Sequence, residues 1–582
     1  MVLSQLISLP GPLPWFLAVT GLVLYLLHKY FAPEKKPAPP GPSGVRLFLD
    51  ILKAVKGGSL HLLAEKWARQ YGDIVMCRTI IGNLCFLNSA RVVRHVFTDK
   101  GTELLSNDRP LTFTGAIVAY NFKDVALGDA AKNSDWSRSR KLFHSTLKFY
   151  GSGVEALGGT LQTELCRLTE ELEAKIKMSG EKGCCDLEMG NFLPVSIRRV
   201  LALLITGETQ GPDSKVPQLL EDLALCLRKT MCPSTDVLLY TFPFLRFLPG
   251  TYYKELCGQT IKRRDAFMEE VFTKGKANHV PGEPKGMLGA LLEEQMNNRS
   301  SWLTDDHIRG LLHDIVIGGY ATSTELLKGF FLYMAHHPQV MKKIQQEVDS
   351  VIGYKVPSLG DRKNLPFTEA AILEVLRLVS TVPLSLGHET REDVTADGFC
   401  IPKGTMQFEN IWWTNRDPSA WEGPDVFRPE RFLDNEGQLL PPTHPTRWRF
   451  LPFGVGKRIC PGENFARSRA FLYVTTLLQK FDFLKPFNHD LLPLTQDSWA
   501  EGVVLELKPC YVALRSSGFI FQPVTFLGYA SSSEFLKGFS LYMVHCLGVL
   551  KRIQQQAERV MELKPPSCDE TALQKSGHLG RA

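Results

Sequence analysis

Apolar side chains recur once per helical turn along most of the chain between residues 44 and 380. Clear examples are the segments HLLAEKWARQYG (61–72) and GMLGALLEEQMNN (286–298). Strand-like patterns are confined to short pieces near Ile74 to Leu87 and between Val382 and Phe408. The pattern therefore predicts a mainly α-helical fold with a small β part.

The N-terminal segment has a different pattern. From Met1 to Leu27 it contains no Asp, Glu, Lys or Arg, and Pro14 can open a helix over its second half. Lys29 follows the apolar run like a stop-transfer flank, which predicts an uncleaved membrane anchor over residues 1–32 and a cytosolic body. A cleaved signal peptide is the alternative, but the charged segment that normally opens one is missing. The proline-rich segment 33–42 then predicts a stiff, extended link.

Composition narrows the class of protein. With 582 residues, 44% of them hydrophobic and 22% charged, the chain can bury a large core. The formal net charge is only +6, and the basic residues are distributed along the chain, which excludes a basic nucleic-acid-binding arm. The thirteen cysteines are an odd number at unrelated spacings, apart from the adjacent Cys184 and Cys185, and this argues against a disulfide framework or a CxxC zinc site.

One cysteine has an unusual context. The segment FGVGKRICPG (453–462) precedes an apolar helical pattern, and a loop at that place directs backbone N–H groups outward. We therefore expect Cys460 to be a thiolate stabilised by amide donors and by Arg458, which makes it a ligand or a nucleophile. An inert cysteine beside a glycine turn would explain Cys460 but not the joint pattern F-x-x-G-x-R-x-C-x-G.

That pattern resembles the haem-binding loop of the cytochromes P450. Glu374 and Arg377 resemble the E-x-x-R pair of the family, and Arg431 in PERF resembles the third member of the same charge network. Trp136 and Arg140 are similar to its W-x-x-x-R motif. The resemblance covers roughly residues 33 to 515 and implies one haem domain with the cytochrome P450 fold.

The resemblance implies a cofactor, haem b, with Cys460 as the axial ligand of its iron. Phe453 would pack beside the sulfur, Gly456 would permit a strained turn, and Gly462 would allow close approach of the following helix.

Cations and an indole N–H are also expected around the two haem propionates. The candidates are Trp136, Arg140, His388 and Arg458, with a solvated loop histidine as the alternative for His388. The charge network of Glu374 and the two arginines is expected to fix the core beneath the cysteine loop rather than to act in catalysis.

The segment DIVIGGYATSTELLKG (314–329) resembles the long helix that crosses the haem in this family. Gly318 and Gly319 would thin the helix for dioxygen, and Thr322 would hydrogen-bond the oxygen substrate and help to deliver protons. Alternatively, the Thr322 hydroxyl bonds back to a carbonyl one turn earlier. Ala321 stands where the family usually has an acid, so the chain has another relay, or is slow and uncoupled, or rearranges a substrate that already contains oxygen.

The resemblance is strongest to animal microsomal members, nearest to the steroid 17-alpha-hydroxylase and aryl-hydrocarbon-hydroxylating groups. It implies a monooxygenase of the endoplasmic reticulum membrane that hydroxylates a lipophilic small molecule. Electrons would come from NADPH through NADPH–cytochrome P450 reductase, with cytochrome b5 as a further candidate partner. A P450-type isomerase of peroxides and a non-catalytic haem-binding protein are the alternatives, both motivated by Ala321.

Two surfaces are also implied. The stretch from Phe242 to Pro249 corresponds to a family loop that dips into the membrane surface, with core packing as the alternative. The basic residues expected on the reductase-binding face are Arg138, Lys141, Lys457 and Arg447.

Residues 516–582 form an extra tail that contains a partial repeat. Gly528 to Gln555 repeats Gly319 to Gln346 at a constant offset of 209, with 18 of 28 positions identical. The copy has Ser531 in place of Thr322 and contains no second cysteine loop, so it cannot build a second haem site. A duplicated exon or a join to a tandem gene explains it; a regulatory helix that docks elsewhere is the alternative.

Overall fold

A computed structural model describes residues 36–517 with ten internal gaps. These gaps are 58–59, 80–81, 129–133, 152–154, 180–182, 233–234, 237, 240–241, 298–301 and 501. The predicted anchor (1–32) and the predicted repeat (528–555) lie outside the described residues. Within these residues, one helical stretch, Met189–Thr206, is long and apolar enough to cross a membrane, and 67% of it is buried inside the protein.

Helices make up most of the described chain. They are α1 (Gly44–Gly57), α2 (Leu60–Tyr71), α3 (Ala90–Thr98), α4 (Trp136–Gly151), α5 (Glu155–Met178), α6 (Leu193–Thr206), α7 (Val216–Thr230), α8 (Tyr252–Met268), α9 (Lys274–Ala277), α10 (Gly286–Asn297), α11 (Asp305–Gly319), α12 (Ala321–His336), α13 (Pro338–Val351), α14 (Pro366–Val379), α15 (Ile411–Thr414), α16 (Pro445–Trp448) and α17 (Glu463–Lys480).

The strands are short and form small sheets. They are β1 (Ile74–Thr79), β2 (Gly82–Leu87), β3 (Cys184–Glu188), β4 (His388–Glu389), β5 (Val394–Ala396), β6 (Phe399–Ile401), β7 (Met406–Glu409), β8 (Phe481–Leu484), β9 (Trp499–Ala500), β10 (Glu506–Leu507) and β11 (Tyr511–Ser516). The largest sheet has the order β1-β2-β7-β4; a second has the order β3-β11-β8, and β5 pairs with β6 and β9 with β10.

The prediction of a mainly helical fold with a small β part is confirmed. Both strand-like regions of the sequence form strands, and the two helical examples correspond to α2 and α10. The long helix expected over 314–329 is wrong in one respect, because it is two helices. The first ends at Gly319 and the second begins at Ala321, with Tyr320 between them at φ −84° and ψ −69°.

The main core lies where α12, α14 and α17 pack together. In α14, twelve successive residues from Thr368 to Val379 are buried, and in α12 every residue from Ser323 to Met334 is buried. Helix α17 buries most of its length, including Tyr473, whose hydroxyl bonds the Ser196 hydroxyl of α6 at 2.7 Å. The loop that carries Cys460 leads directly into α17, so its C-terminal end is anchored to the core.

The described part of the proline-rich link, residues 36–42, is not helical, as predicted, but it does not project freely from the domain. Met76 N–H donates to the carbonyl of Pro40 at 2.9 Å, and Cys400 N–H donates to that of Pro37 at 2.7 Å. Gly41 passes so close to β1 that a Cβ there would lie 1.9 Å from the Met76 carbonyl oxygen. The segment is thus bound along the sheets through backbone hydrogen bonds.

Candidate active site

The site is built around an open cavity of about 1820 Å³, counted to include the space continuous with solvent. Helices α11, α12 and α17 and the cysteine loop all contribute to its wall. Most of the wall is apolar, and Cys460, Thr322 and Ala321 all line it. The two features predicted separately from the sequence, a special cysteine and an oxygen-handling helix, therefore meet at one cavity.

Cys460 is accessible from this cavity although protein atoms surround its other sides. Burial raises the pKa of its thiol to about 11, while a hydrogen bond from Gly462 N–H and the positive charge of Arg140 act in the opposite direction. The predicted amide donor is therefore present. Arg140 supplies a positive charge beside the thiol, and the role expected for Arg458 there stays a prediction.

The glycines of the loop differ in what they do. Gly456 adopts φ +70°, and a Cβ there would lie 2.3 Å from the Phe97 carbonyl oxygen, so the expected strained turn is confirmed. The expected close approach at Gly462 is wrong: a Cβ there would make only ordinary contacts, the nearest at 3.8 Å with Cys460 Sγ. Phe453 lines the cavity, and its carbonyl accepts the Cys460 N–H at 2.9 Å.

Buried cations line another part of the wall. Arg458 donates from Nε to the Asn107 carbonyl at 2.9 Å and from Nη1 to the Gly128 carbonyl at 2.7 Å. Its guanidinium carbon lies 4.0 Å from the ring centroid of Trp136. Arg140 reaches the Ile459 carbonyl and also lines the cavity.

Trp136 and His388 do not play equivalent parts. The Trp136 indole N–H donates to the Val125 carbonyl at 3.0 Å, and Trp136 is not among the cavity-lining residues, so here it holds a loop rather than the rim.

His388 lines the cavity and is 3% exposed, so the alternative of a solvated histidine is wrong. Burial and the charges of Arg109 and Arg458 lower its pKa well below its usual range. The ring is therefore neutral, with Nδ1 3.2 Å from the Ser106 carbonyl. An anion at Nε2 would favour protonation of the ring.

Arg109 belongs to the same rim and is absent from the sequence-based candidates. It is 5% exposed and lines the cavity, and its guanidinium donates to the carbonyls of Ala126, Leu386 and Gly387 at 2.7 to 3.0 Å. Its local sequence, SNDRP, resembles an ordinary surface turn. Only the three-dimensional approach of the loops near residues 109, 126 and 387 reveals it.

Asp314 ties this rim to α11. Its carboxylate accepts Val125 N–H at 2.6 Å and Ala126 N–H at 3.0 Å, and burial together with the neighbouring Asp124 raises its pKa well above the usual range. Burial likewise raises the pKa of Asp124 to about 6. The Asp314 carboxylate thus holds the loop at residues 124–128, which also receives bonds from Trp136 and the rim arginines.

Thr322 and the two glycines lie at the junction of α11 and α12. The Thr322 hydroxyl donates to the Gly318 carbonyl at 2.6 Å, which is the local hydrogen bond weighed as an alternative. Its oxygen remains available as an acceptor on the cavity side. A Cβ on Gly319 would meet Leu201 at 2.9 Å, whereas one on Gly318 would meet nothing within 4 Å. Ala321 contributes only a methyl group to the wall.

The predicted charge network is assembled in full and lies away from the cavity. Arg377 donates to both carboxylate oxygens of Glu374 at 2.8 and 2.9 Å, and Arg431 Nε donates to Glu374 Oε1 at 2.8 Å. Both Glu374 and Arg377 are 0% exposed. Arg377 also donates to the carbonyls of Asn415 and Pro424, so the network joins α14 to the loop region that precedes the cysteine.

The chemistry of these donors fits haem. One wall of the cavity presents Cys460, a soft sulfur ligand that suits iron. The rim presents Arg109 and Arg458, whose guanidinium groups donate to carbonyl oxygens and whose positive charges suit two propionates. When bound through a thiolate, haem supplies the electron-rich iron that favours O–O cleavage. Cys460 would hold the iron, and Arg109, Arg140, His388 and Arg458 would surround the propionates.

Known proteins are similar to this chain in sequence. A family model described as Cytochrome P450 matches residues 39–513. Cytochrome P450 2U1 of Homo sapiens is 33% identical over 491 residues, covering 82% of this chain and 84% of that protein. The steroid 17-alpha-hydroxylase/17,20 lyase of Gallus gallus is 30% identical over 492 residues, covering 83% and 92%.

A solved structure of a zebra fish cytochrome P450 with progesterone also has this fold. It is 27% identical and covers 78% of this chain and 99% of its own, with a TM-score of 0.66. The family model spans both the cysteine loop and the charge network, and proteins of this family bind haem through a cysteine thiolate. The chain therefore belongs to the cytochrome P450 family and is a cytochrome P450 monooxygenase.

Proposed function

We propose that this protein hydroxylates a lipophilic, steroid-like or xenobiotic molecule at the endoplasmic reticulum membrane, with electrons from NADPH–cytochrome P450 reductase. The observation that carries the proposal is the cavity, where a mainly apolar wall surrounds Cys460 and Thr322. An apolar cavity favours an apolar substrate, because burial of its surface drives binding. The relatives include steroid 17-alpha-hydroxylases, and one structural relative was solved with progesterone.

The segment near Phe244 supports contact with a membrane. Phe244 is 59% exposed, Phe247 72% and Leu248 47%, so the alternative of core packing does not describe these side chains. Exposed apolar side chains gathered in one segment are typical of protein or membrane contact sites. Together with the predicted anchor, they suit an enzyme that draws its substrate from a lipid phase.

The surface next to the cysteine loop supports an acidic electron donor. Arg138, Lys141 and Lys457 are exposed and lie in α4 and the cysteine loop. Arg447 is a weaker candidate, because it is half-buried and donates to the Leu440 carbonyl. Charges of one sign would steer an acidic reductase, and cytochrome b5 would use the same attraction.

Residues of the chain would divide the work at the site. Cys460 would hold the iron, the rim cations would fix the haem edge, and the apolar wall would exclude bulk water. Thr322 would accept or donate a hydrogen bond to the oxygen substrate beside the helix junction. The charge network of Glu374, Arg377 and Arg431 would keep the loop in place.

The test uses the full-length chain in phospholipid vesicles with NADPH–cytochrome P450 reductase. We expect a thiolate-type reduced carbon monoxide spectrum, and a steroid product that requires NADPH and reductase and contains one oxygen atom from O₂. Cys460→Ser should abolish the spectrum and the product. The control Cys166→Ser changes an exposed cysteine of α5 and should leave both unchanged.

The outcomes separate the alternatives. Turnover of a peroxide without reductase would replace hydroxylation by isomerisation. A normal spectrum without turnover of any steroid, xenobiotic or peroxide would indicate a haem-binding protein that does not catalyse. If raising the salt concentration left the reductase-dependent rate unchanged, the charged docking surface would be wrong.

A further inference from the structure

Arg469 of α17 is a buried cation that the site described above does not use. It is 1% exposed, and burial lowers its pKa to about 10, so it stays charged at neutral pH. Among the residues that the structure describes, no carboxylate forms an ion pair with it. A buried charge without an anionic partner is costly, so this position calls for a physical account.

The contacts of Arg469 lie at the junction of α11 and α12. Its Nη2 donates to the Gly319 carbonyl at 2.9 Å and to the Ser323 hydroxyl. These acceptors flank Tyr320, where one helix ends and the next begins. The guanidinium carbon also lies 4.6 Å from the ring centroid of Phe465, which holds it in place.

Two successive carbonyls of α11 thus receive side-chain donors. Gly318 accepts from the Thr322 hydroxyl and Gly319 from Arg469. A side chain that inserts donors into the hydrogen-bond ladder of a helix kinks or interrupts it. Arg469 therefore accounts for the break beside Thr322, which the apolar pattern of the sequence does not indicate.

Two further donors of Arg469 have no partner among the described residues. Its Nε and Nη1 are buried and find no acceptor within the described part of the chain. Arg469 lines the same cavity as Ala321 and Thr322. A buried donor without a partner is unfavourable, and bound water commonly satisfies such a group at a polar site.

We propose that Arg469 is a positioning residue for oxygen activation, which holds the α11–α12 junction open and orients water beside Thr322. Ala321 has no carboxylate to hold water there, so the guanidinium takes over that part of the task. Arg469 releases no proton itself; it fixes the water through which solvent protons reach the site. The inference rests on the proposed hydroxylation and assigns a residue to its proton supply.

The test compares Arg469→Gln and Arg469→Lys with the full-length holoenzyme. Arg467→Gln is the matched control, because Arg467 lies on the same helix but pairs with Glu369 and Glu463. For each protein we would record the reduced carbon monoxide spectrum, the product formed per NADPH consumed, and the solvent isotope effect on product formation. Crystal structures of the wild type and Arg469→Gln would locate water near Nε and Nη1.

We expect Arg469→Gln to keep the spectrum but to lower product per NADPH by about tenfold, a typical effect of a residue that acts through another group. Hydrogen peroxide should rise in proportion, and the solvent isotope effect should increase. Arg469→Lys should recover part of the product yield, and Arg467→Gln should match the wild type. Ordered water should occupy the site of the wild type and be lost in Arg469→Gln.

Unchanged product yield and isotope effect in Arg469→Gln would overturn the inference. Loss of the spectrum in both Arg469 variants would also overturn it, since Arg469 would then be a structural residue only. If the wild type makes no product, the proposed hydroxylation fails, but the crystal structures still test whether Arg469 orders water. Absence of ordered water at Nε and Nη1 would then contradict the inference by itself.

Discussion

Individual residues in this protein differ sharply in how much their charge matters. Glu374 and Arg377 are 0% exposed and share a bidentate contact, whereas the ion pair between Arg428 and Glu422 has side chains that are 41% and 85% exposed. Exposed pairs contribute up to about 1 kcal/mol, but removal of one partner from a buried pair leaves an uncompensated charge. The buried network is therefore the sensitive one.

We predict that Arg377→Met destabilises the protein by about 3 to 5 kcal/mol and abolishes haem incorporation, because the buried Glu374 keeps only Arg431 as an arginine partner and the carbonyls of Asn415 and Pro424 lose their donor. The control Arg428→Ala removes an exposed partner and should cost less than about 1 kcal/mol with a normal haem spectrum. Thermal unfolding and the carbon monoxide spectrum measure both effects. Equal losses in the two variants would show that burial does not govern this network.

At the same scale, the sequence identifies residues that stand in a local pattern. Cys460, Glu374 and Arg377 are found in this way, because their spacing along the chain is itself the signal. Arg109 and Arg469 are not, since their partners are carbonyls distant in sequence, such as those of Leu386 and Gly319. The residues adjacent to either arginine in sequence do not indicate those contacts.

Among the elements, the cysteine loop is the one most constrained by backbone geometry. Gly456 combines φ +70° with a neighbouring carbonyl, that of Phe97, where a side chain would have to fit. Gly437 has a similar φ of +77° but nothing within 4 Å of its Cβ position. A side chain at Gly437 would therefore meet only an unfavourable backbone conformation, whereas one at Gly456 would also clash with a neighbouring carbonyl.

We predict that Gly437→Ala costs about 1 to 2 kcal/mol from the left-handed backbone alone. Gly456→Ala should cost more and should displace the loop, with loss of the thiolate-type carbon monoxide spectrum. Denaturant unfolding of both variants, with that spectrum as the second measurement, tests this. A Gly456→Ala protein with a normal spectrum would mean that α3, which carries Phe97, moves aside readily.

Helix boundaries show why the sequence predicts elements better than their interruptions. The expectation of one helix over 314–329 rests on family resemblance, and the segment contains no proline that would indicate a break. The break at Tyr320 arises from donors supplied by Thr322 and Arg469, and the second of these lies about 150 residues away in the chain. A local pattern contains no record of such a contact.

At the scale of the whole molecule, β11 closes the haem domain. It pairs with β3 on one side and with β8 on the other, up to the pair Ser516 and Phe481. Ser517 N–H also donates to the Lys480 carbonyl at 2.9 Å. The hydrogen bonds of this sheet region thus extend two positions beyond Arg515, where the family resemblance fades in the sequence.

We predict that a chain ending after Ser517 keeps its haem spectrum and thermal stability, because β11 and its pairing with β3 and β8 are retained. A chain that ends after Cys510 lacks β11, exposes the edges of β3 and β8, and should lose the spectrum. Expression of both truncated chains beside the full one gives the comparison. Loss of the spectrum in the longer truncation would assign the tail a role in folding.

The loop at residues 124–128 couples two binding events, that of the cofactor at the rim and that of the substrate at the cavity wall. It accepts hydrogen bonds from the rim residues Arg109 and Arg458 and from Trp136, and it donates its own N–H groups to Asp314 of α11. Whatever steadies the rim therefore also steadies the wall that meets the substrate. By thermodynamic reciprocity, a substrate that orders this wall must tighten the hold on the cofactor by the same factor.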